Sequence, residues 1–307
     1  MTARRALLLW APFALAGLVL IVWFFMWRAG AAAMRSAIDD FAADVAAGGG
    51  AVSHAPMRAR GFPFFLRGEI DDFSIAREGY RFETRTLYLH ASPGDPGRIV
   101  FSASPAMRLT TPTGDWSIRA DGARASIERD RDGWLFKAQT AAIAALKGGE
   151  AVKSGRAVIN IAPADAGAWR ISLRVLDAVI SNARGEASIP RLDAAMTAQG
   201  EPRAVELHGF DGEIGAARLG LQGALAQDGD GFAAGRLDAA IENPAALIDA
   251  LAVIGAVKPE TRRTVESGLL ILAAAGGGRI SAPIDVGGGV VKVAGVKVAD
   301  APRLGQP

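Results

Sequence analysis

The sequence predicts a mainly β protein with a few helices. An N-terminal transmembrane helix leads into a large antiparallel β-meander, a curved sheet or a sandwich, closed by two short helices and a C-terminal hairpin. Three observations predict this. Residues Ala6 to Trp27 form an uncharged apolar run. From Ala51 to about Ile241 apolar and polar residues alternate with period two, broken by turn signals. At Asn243-Pro244 the alternation stops and helical spacing begins.

The first element follows from length. A helix rises about 1.5 Å per residue, so residues 6–27 can cross a hydrocarbon core of about 30 Å. Pro12 and Gly17 are tolerated in spanning helices. Arg4 and Arg5 precede the run, and Arg28 and Arg35 follow it. Positive charge near a first span favours the cytoplasmic side. Two arginines on each side leave the charge nearly balanced; the short tail, residues 1–5, is assigned to the cytoplasm because it has no other content and a large domain follows, and that domain to the far side of a single-pass membrane protein. Trp10 at one end, and Trp23 and Trp27 at the other, suit an interfacial aromatic belt. A cleavable signal peptide is the rival reading, with Ala29 to Ala33 offering a small-residue cleavage site. Its apolar core is normally about 7–15 residues, shorter than this run, which favours an uncleaved anchor.

Composition narrows the classes. The 307 residues carry a formal net charge of +2, so no broad basic field points to nucleic acid. Half of them are hydrophobic, enough for a packed core. The chain has no cysteine, which removes disulfides, thiolate metal sites and cysteine nucleophiles.

Residues 28–50 read as a juxtamembrane helix and a glycine linker. Ile38, Phe41 and Val45 make one apolar stripe, and Gly48, Gly49 and Gly50 end it. Residues 51–242 read as one antiparallel β-rich domain outside the cytoplasm. Trp116, Ile118 and Ala120 alternate with polar neighbours, as do Trp134, Phe136 and Ala138, and Trp169, Ile171, Leu173 and Val175. Turn signals fall at Pro93 to Gly97, Thr113 to Asp115, Asp130 to Gly133 and Asp228 to Gly231. Short Arg/Gly starts recur at irregular spacing, which describes a meander and not a strict solenoid.

Residues 243–276 form the helical segment. Asn243 suits a cap and Pro244 a first turn. Ala245 to Ile254 makes one helix. Pro259 to about Ala275 makes a second, with Leu269, Leu270 and Leu272 in its apolar half, buried against the sheet. Residues 277–299 make the closing hairpin: Arg279 to Val286, a turn at Gly287 to Gly289, then Val290 to Val298. Residues 300–307 read as a flexible tail.

The search for chemistry yields little. His54, His90 and His208 lack metal-ligand spacing and read as strand residues satisfied by solvent or backbone. No nucleophile elbow, P-loop or zinc-helix motif occurs. Gly276 to Gly278 and Gly287 to Gly289 are turns, because a phosphate cradle needs amides at a helix N-terminus. Asp71-Asp72 reads as a tight turn between Ile70 and Phe73. Arg81, Glu83 and Arg85 read as a solvated charge ladder. No catalytic residue, metal ligand or cofactor is assigned, and the chain reads as a non-enzyme.

Arg60-Gly61-Phe62-Pro63-Phe64-Phe65-Leu66 stands out. Its proline removes a ladder donor, so the segment belongs at an edge or a strand start. An exposed apolar edge needs a cover: core, anchor helix, partner or lipid. The default expectation is core.

These features together carry a resemblance. A basic N-terminus and a single apolar span lead into Gly-Phe-Pro-Phe at Gly61 to Phe64, then a β-rich body. A closing helix and hairpin follow, from Ala282-Pro283-Ile284 to Ala301-Pro302-Arg303-Leu304. The chain resembles the uncharacterised bacterial envelope family called domain of unknown function 2125, over nearly its whole length. The closing hairpin is similar in style to the AsmA-like envelope proteins, which are implicated in lipid transport. The resemblance implies a fold and a bacterial envelope location, with the span in the inner membrane and the bulk of the chain in the periplasm; it brings no activity or catalytic residues.

The functional expectation is a membrane-tethered module that binds a lipid or another hydrophobic ligand in envelope maintenance. A long sheet with one apolar face can hold acyl chains. Phe62, Phe64, Phe65, Trp116, Trp134 and Trp169 are the expected lining, against the simpler expectation that they fill a sandwich core. The alternative is a non-catalytic structural or assembly factor bound to an envelope protein partner in the same membrane. An enzyme such as a hydrolase ranks last.

Overall fold

The structure is a computed structural model. It describes residues 3–92, 95–130, 133–200, 203–255, 257, 259–293, 295–301 and 303. Its described residues divide into two compact units, the first ending at Ser104 and the second beginning at Pro105.

The first unit opens on α1 (Ala3–Ala47), a single helix of 45 residues. Its apolar part is long enough to cross a membrane. The apolar run and the expected juxtamembrane helix are thus one rod of about 68 Å. Phe13, Leu18, Ile21 and Phe25 are exposed along the apolar part. Further on, Ala31, Met34 and Ile38 are buried against the sheet. Gly48 to Gly50 return the chain in a tight hydrogen-bonded turn, with Gly50 N–H donating to the Val45 carbonyl at 2.9 Å.

That sheet contains β1 (Ala51–Ser53), β2 (Arg58–Arg60), β3 (Leu66–Arg77), β4 (Tyr80–Ser92) and β5 (Asp95–Ala103). Within the unit these strands pair antiparallel. Asp71 and Asp72 do not make the expected turn, because β3 runs straight through them. Asp72 adopts φ +50° inside the strand while the register with β4 continues on both sides. One residue on each strand is spent at the kink, so the buried face shifts by one. Ile70 and Phe73, an odd number of residues apart, therefore enter the same core. β1 and β2 share the same edge of β3 and are broken opposite this kink.

The second unit contains β6 (Ala106–Thr111), β7 (Gly114–Asp121), β8 (Arg124–Asp130), β9 (Gly133–Thr140), β10 (Ala142–Lys147), β11 (Glu150–Ser154), β12 (Ala157–Pro163), β13 (Trp169–Asn182), β14 (Gly185–Gln199), β15 (Ala204–Ile214), β16 (Ala217–Gln227) and β17 (Ala233–Glu242). Two helices follow, α2 (Pro244–Val253) and α3 (Pro259–Ala275), then β18 (Arg279–Gly287), β19 (Val290–Val293) and β20 (Val296–Asp300). From β13 to β20 successive strands pair antiparallel. The expected turns join β6 to β7 and β16 to β17. Pro93, Gly94, Arg131 and Asp132 lie outside the described residues.

β13 repeats the device of β3. Asp177 takes φ +52° within the strand, and the register with β14 resumes beyond it. β11 and β12 share one edge of β13 and are broken at Gly155, whose N–H donates to the Leu176 carbonyl at 3.0 Å.

The two helices cover one end of the apolar sheet face. Leu247, Ile248 and Ala250 of α2, with Leu269 and Ala273 of α3, are buried among Ile214, Ala217, Ile241 and Ile280. Fully burying one Leu or Ile contributes about 1.5–3 kcal/mol. The expectation for α3 holds only in part, since Leu270 and Ile271 are exposed. Asn243 precedes Pro244 in the left-handed region, but its amide donates to the Ala216 carbonyl at 3.4 Å and does not cap the helix.

Two further differences concern the end of the chain. The second arm of the expected hairpin is divided, because Gly295 (φ +84°) turns β20 back onto β19. The start of the expected flexible tail is docked. Ala301 is buried, Phe232 and Arg303 form a bridge, and the Arg303 guanidinium lies 4.7 Å from the Phe232 ring. Residues 304–307 lie outside the described residues.

Candidate functional site

The most extensive feature of the second unit is one face of its sheet. Antiparallel partners point the same way, so the pairing register defines rows of side chains. One row runs Ile159, Leu173, Ala194, Phe210, Leu221, Ala239 and Ala282. The next runs Ile161, Ile171, Met196, Leu207, Gly223, Leu237, Ile284 and Val293. No charged or amide side chain interrupts either row. The small Ala194, Ala239 and Ala282 are buried, whereas Leu173, Met196, Phe210, Leu221 and Leu237 are half-buried. Among the described residues these larger side chains belong to none of the three buried clusters.

The opposite face carries charge. Arg174 faces Asp193, and Asp193 faces Asp211. The Asp193 carboxylate accepts hydrogen bonds from both Arg174 and Arg191. The bond from Arg174 is the largest influence holding this carboxyl below the usual carboxylate range, and Arg191 adds to it. His208 sits in the bulge where β15 shifts register, its ring 2.7 Å from the Thr197 hydroxyl.

The six expected lining residues are divided between the units, Phe62, Phe64 and Phe65 in the first and Trp116, Trp134 and Trp169 in the second. Trp134 and Trp169 do share a neighbourhood. Pro163 pairs with Trp169, and the β9–β12 register that pairs Phe136 with Ile161 brings Trp134 level with Pro163. Both rings are exposed, at 54% and 46%. Trp116 belongs to another row, opposite Leu109, with the Lys147 ammonium 5.2 Å from its ring.

Phe62, Phe64 and Phe65 lie in the first unit, in the loop between β2 and β3, and they do not enter the core as the default expectation had it. They are exposed at 42%, 82% and 49%. Only Phe62 has ring contacts with α1 among these three. The Trp23 indole donates to the Pro63 carbonyl, and the Trp27 indole donates to the Phe65 carbonyl at 2.9 Å. The Phe62 ring stands edge-on to Phe24 at 5.5 Å and to Trp27 at 5.9 Å. Gly61 makes the loop possible at φ +99°, for a Cβ there would lie 2.4 Å from the Phe65 ring. Its carbonyl accepts from the N–H groups of both Phe64 and Phe65 at 3.1 Å.

Sequence reading missed most of the apolar rows. Leu192, Met196, Leu207, Leu219, Leu221 and Leu237 carry the same alternation as the tryptophan-led strands, without an aromatic residue to mark it. Among the described residues no group of three or more His, Asp or Glu side chains could hold a metal ion. His54 Nδ1 lies 2.9 Å from the Ala55 carbonyl oxygen, in line with a backbone partner. His90 lies on β4 between Arg67 and Val100.

No curated protein and no solved structure matches the chain. The sequence profile of a bacterial family does, over residues 27–204 and 139–302. The match begins at Trp27, where the apolar run ends, and extends through the antiparallel strands to residue 302, and the chain belongs to that family, described as an uncharacterised protein conserved in bacteria, DUF2125.

Proposed function

We propose that the chain is a membrane-anchored protein of the bacterial envelope whose apolar sheet face holds a lipid or another hydrophobic ligand. The single observation that carries this reading is the pair of uninterrupted apolar rows on which Leu173, Met196, Phe210, Leu221 and Leu237 stay half-buried. Covering such side chains with an acyl chain removes apolar surface from water, worth about 0.8 kcal/mol per methylene buried. The charged opposite face keeps the sheet soluble. The role is binding, without catalysis.

The helix is retained as an anchor in this reading, with the N-terminus in the cytoplasm and both units in the periplasm. Two features support retention. Ala31, Met34 and Ile38 of the same helix are core residues of the first unit. Cleavage among Ala29 to Ala33 would also strip Trp23 and Trp27 from the aromatic loop. The test is mass spectrometry of lipid co-purifying with the full chain in mild detergent. Stoichiometric lipid that falls in a Leu221→Gln variant is expected; repeated absence of lipid from the wild type refutes the reading.

A second reading, an assembly factor with a protein partner, is favoured by one feature. Leu270 and Ile271 of α3 are 46% and 70% exposed on the side away from the core. Cross-linking from position 271 to a defined envelope protein, with no lipid on the sheet, supports that reading.

A further inference from the structure

The aromatic loop on the anchor helix has a placement that the lipid-binding reading does not use. Arg28 is exposed at the end of the apolar run, where a cation reaches for headgroups. Trp23 lies five positions before it, about 7.5 Å back along the helix axis and therefore below headgroup level. Yet Trp23 gives its indole N–H to the Pro63 carbonyl, a residue far away in sequence. An indole N–H at that depth has little water to bond, and a carbonyl delivered by the loop satisfies it. The Trp27 bond to Phe65 holds the loop again one turn nearer the surface.

The loop is thus fastened to the stretch of helix that sits in the interface. Its free side shows Phe64 at 82% exposure, with Phe65 behind it. Arg60, whose side chain is 63% exposed, flanks it at the end of β2. An apolar tip with a basic flank, continuous with a spanning helix, fits the headgroup–acyl boundary.

We propose that the Gly61 to Phe65 loop inserts into the outer interface of the same bilayer that α1 crosses, as a second membrane contact that fixes the first unit's orientation on the surface. This rests on the anchor reading. The occupant is lipid of the host membrane, not a protein partner.

The native absence of cysteine makes the test clean. Single-cysteine variants Phe64→Cys, Val22→Cys and Tyr80→Cys of the full chain are labelled with an environment-sensitive fluorophore. They are reconstituted in phosphatidylethanolamine–phosphatidylglycerol vesicles, with and without a lipid carrying a nitroxide near the carbonyl end of its chain. Position 22 reports the span. Position 80 lies past the far end of β3, about 36 Å of strand from Leu66. The expected result is loss of emission at 64 and 22, with emission at 80 unchanged. Quenching at 22 alone overturns the loop insertion and leaves the anchor standing. Quenching at neither overturns both. Should Phe64→Cys fail to fold, the same label at Phe65→Cys gives the same reading.

Discussion

Trp27 donates its indole N–H to the Phe65 carbonyl at 2.9 Å, and the same indole makes a T-shaped contact with Phe62. Residues thirty-eight apart in the chain are therefore joined where the apolar helix meets the sheet. Replacing Trp27 by Phe keeps a ring and removes the donor. A loss of about 1 kcal/mol of local stability is expected. Hydrogen exchange at the Phe64 and Phe65 amides, both bonded to the Gly61 carbonyl, should quicken by about fivefold to tenfold.

The kinks at Asp72 and Asp177 need a residue that accepts positive φ. Asp tolerates that region and a β-branched residue does not. Asp177→Val should cost about 1–3 kcal/mol in urea unfolding, and Asp177→Gly should be close to neutral. Equal effects of the two substitutions would mean the strand does not depend on the kink.

Gly223 and Gly235 occupy neighbouring strands where backbones crowd. A Cβ on Gly223 would meet the Arg236 carbonyl oxygen at 2.3 Å, and one on Gly235 the Ala224 carbonyl oxygen at 2.2 Å. Backbone cannot move aside as a flexible side chain can. Gly223→Ala should therefore lower stability by about 2 kcal/mol or more, seen as an earlier denaturation midpoint.

Asp193 gives a pH dependence with a definite sign. Its folded carboxyl lies below the usual range, chiefly through the hydrogen bond from Arg174. A depressed acid stabilises the fold above its unfolded value of about 3.9. That contribution is lost as pH falls through the folded value. Both arginines are largely exposed, so the gain is at most about 1 kcal/mol. The melting difference between wild type and Asp193→Asn should be present at neutral pH and should close under acid below the usual carboxylate range.

Local rules made much of the fold readable. The uncharged run from Ala6 gave the helix, and Pro259 and Gly276 bounded α3 as expected. Alternation led by Trp116, Trp134 and Trp169 marked strands. Asp71-Asp72 misled because a turn and a strand kink both favour Asp in the left-handed region; only the unbroken pairing with β4 separates them. The helix was one of four covers considered for the aromatic loop, and core was preferred because the contacts of Phe62 with Phe24 and Trp27 join residues distant in sequence. Leu270 and Leu272 illustrate the limit of composition: both are apolar, but helix rotation exposes the first and packs the second on the core. The continuous apolar face was illegible for a related reason: it is built of Leu, Met and Ala, and only the register between strands aligns them.

Register also supplies the most direct test. Phe210 and Asp211 are adjacent on β15, one on the apolar row and one facing Asp193. A photo-reactive amino acid placed at each position in turn, irradiated in intact cells, reports what touches each face. Lipid adducts at 210 and none at 211 are the result expected if the apolar face holds lipid. Equal labelling at both positions, or lipid adducts at neither, would contradict it.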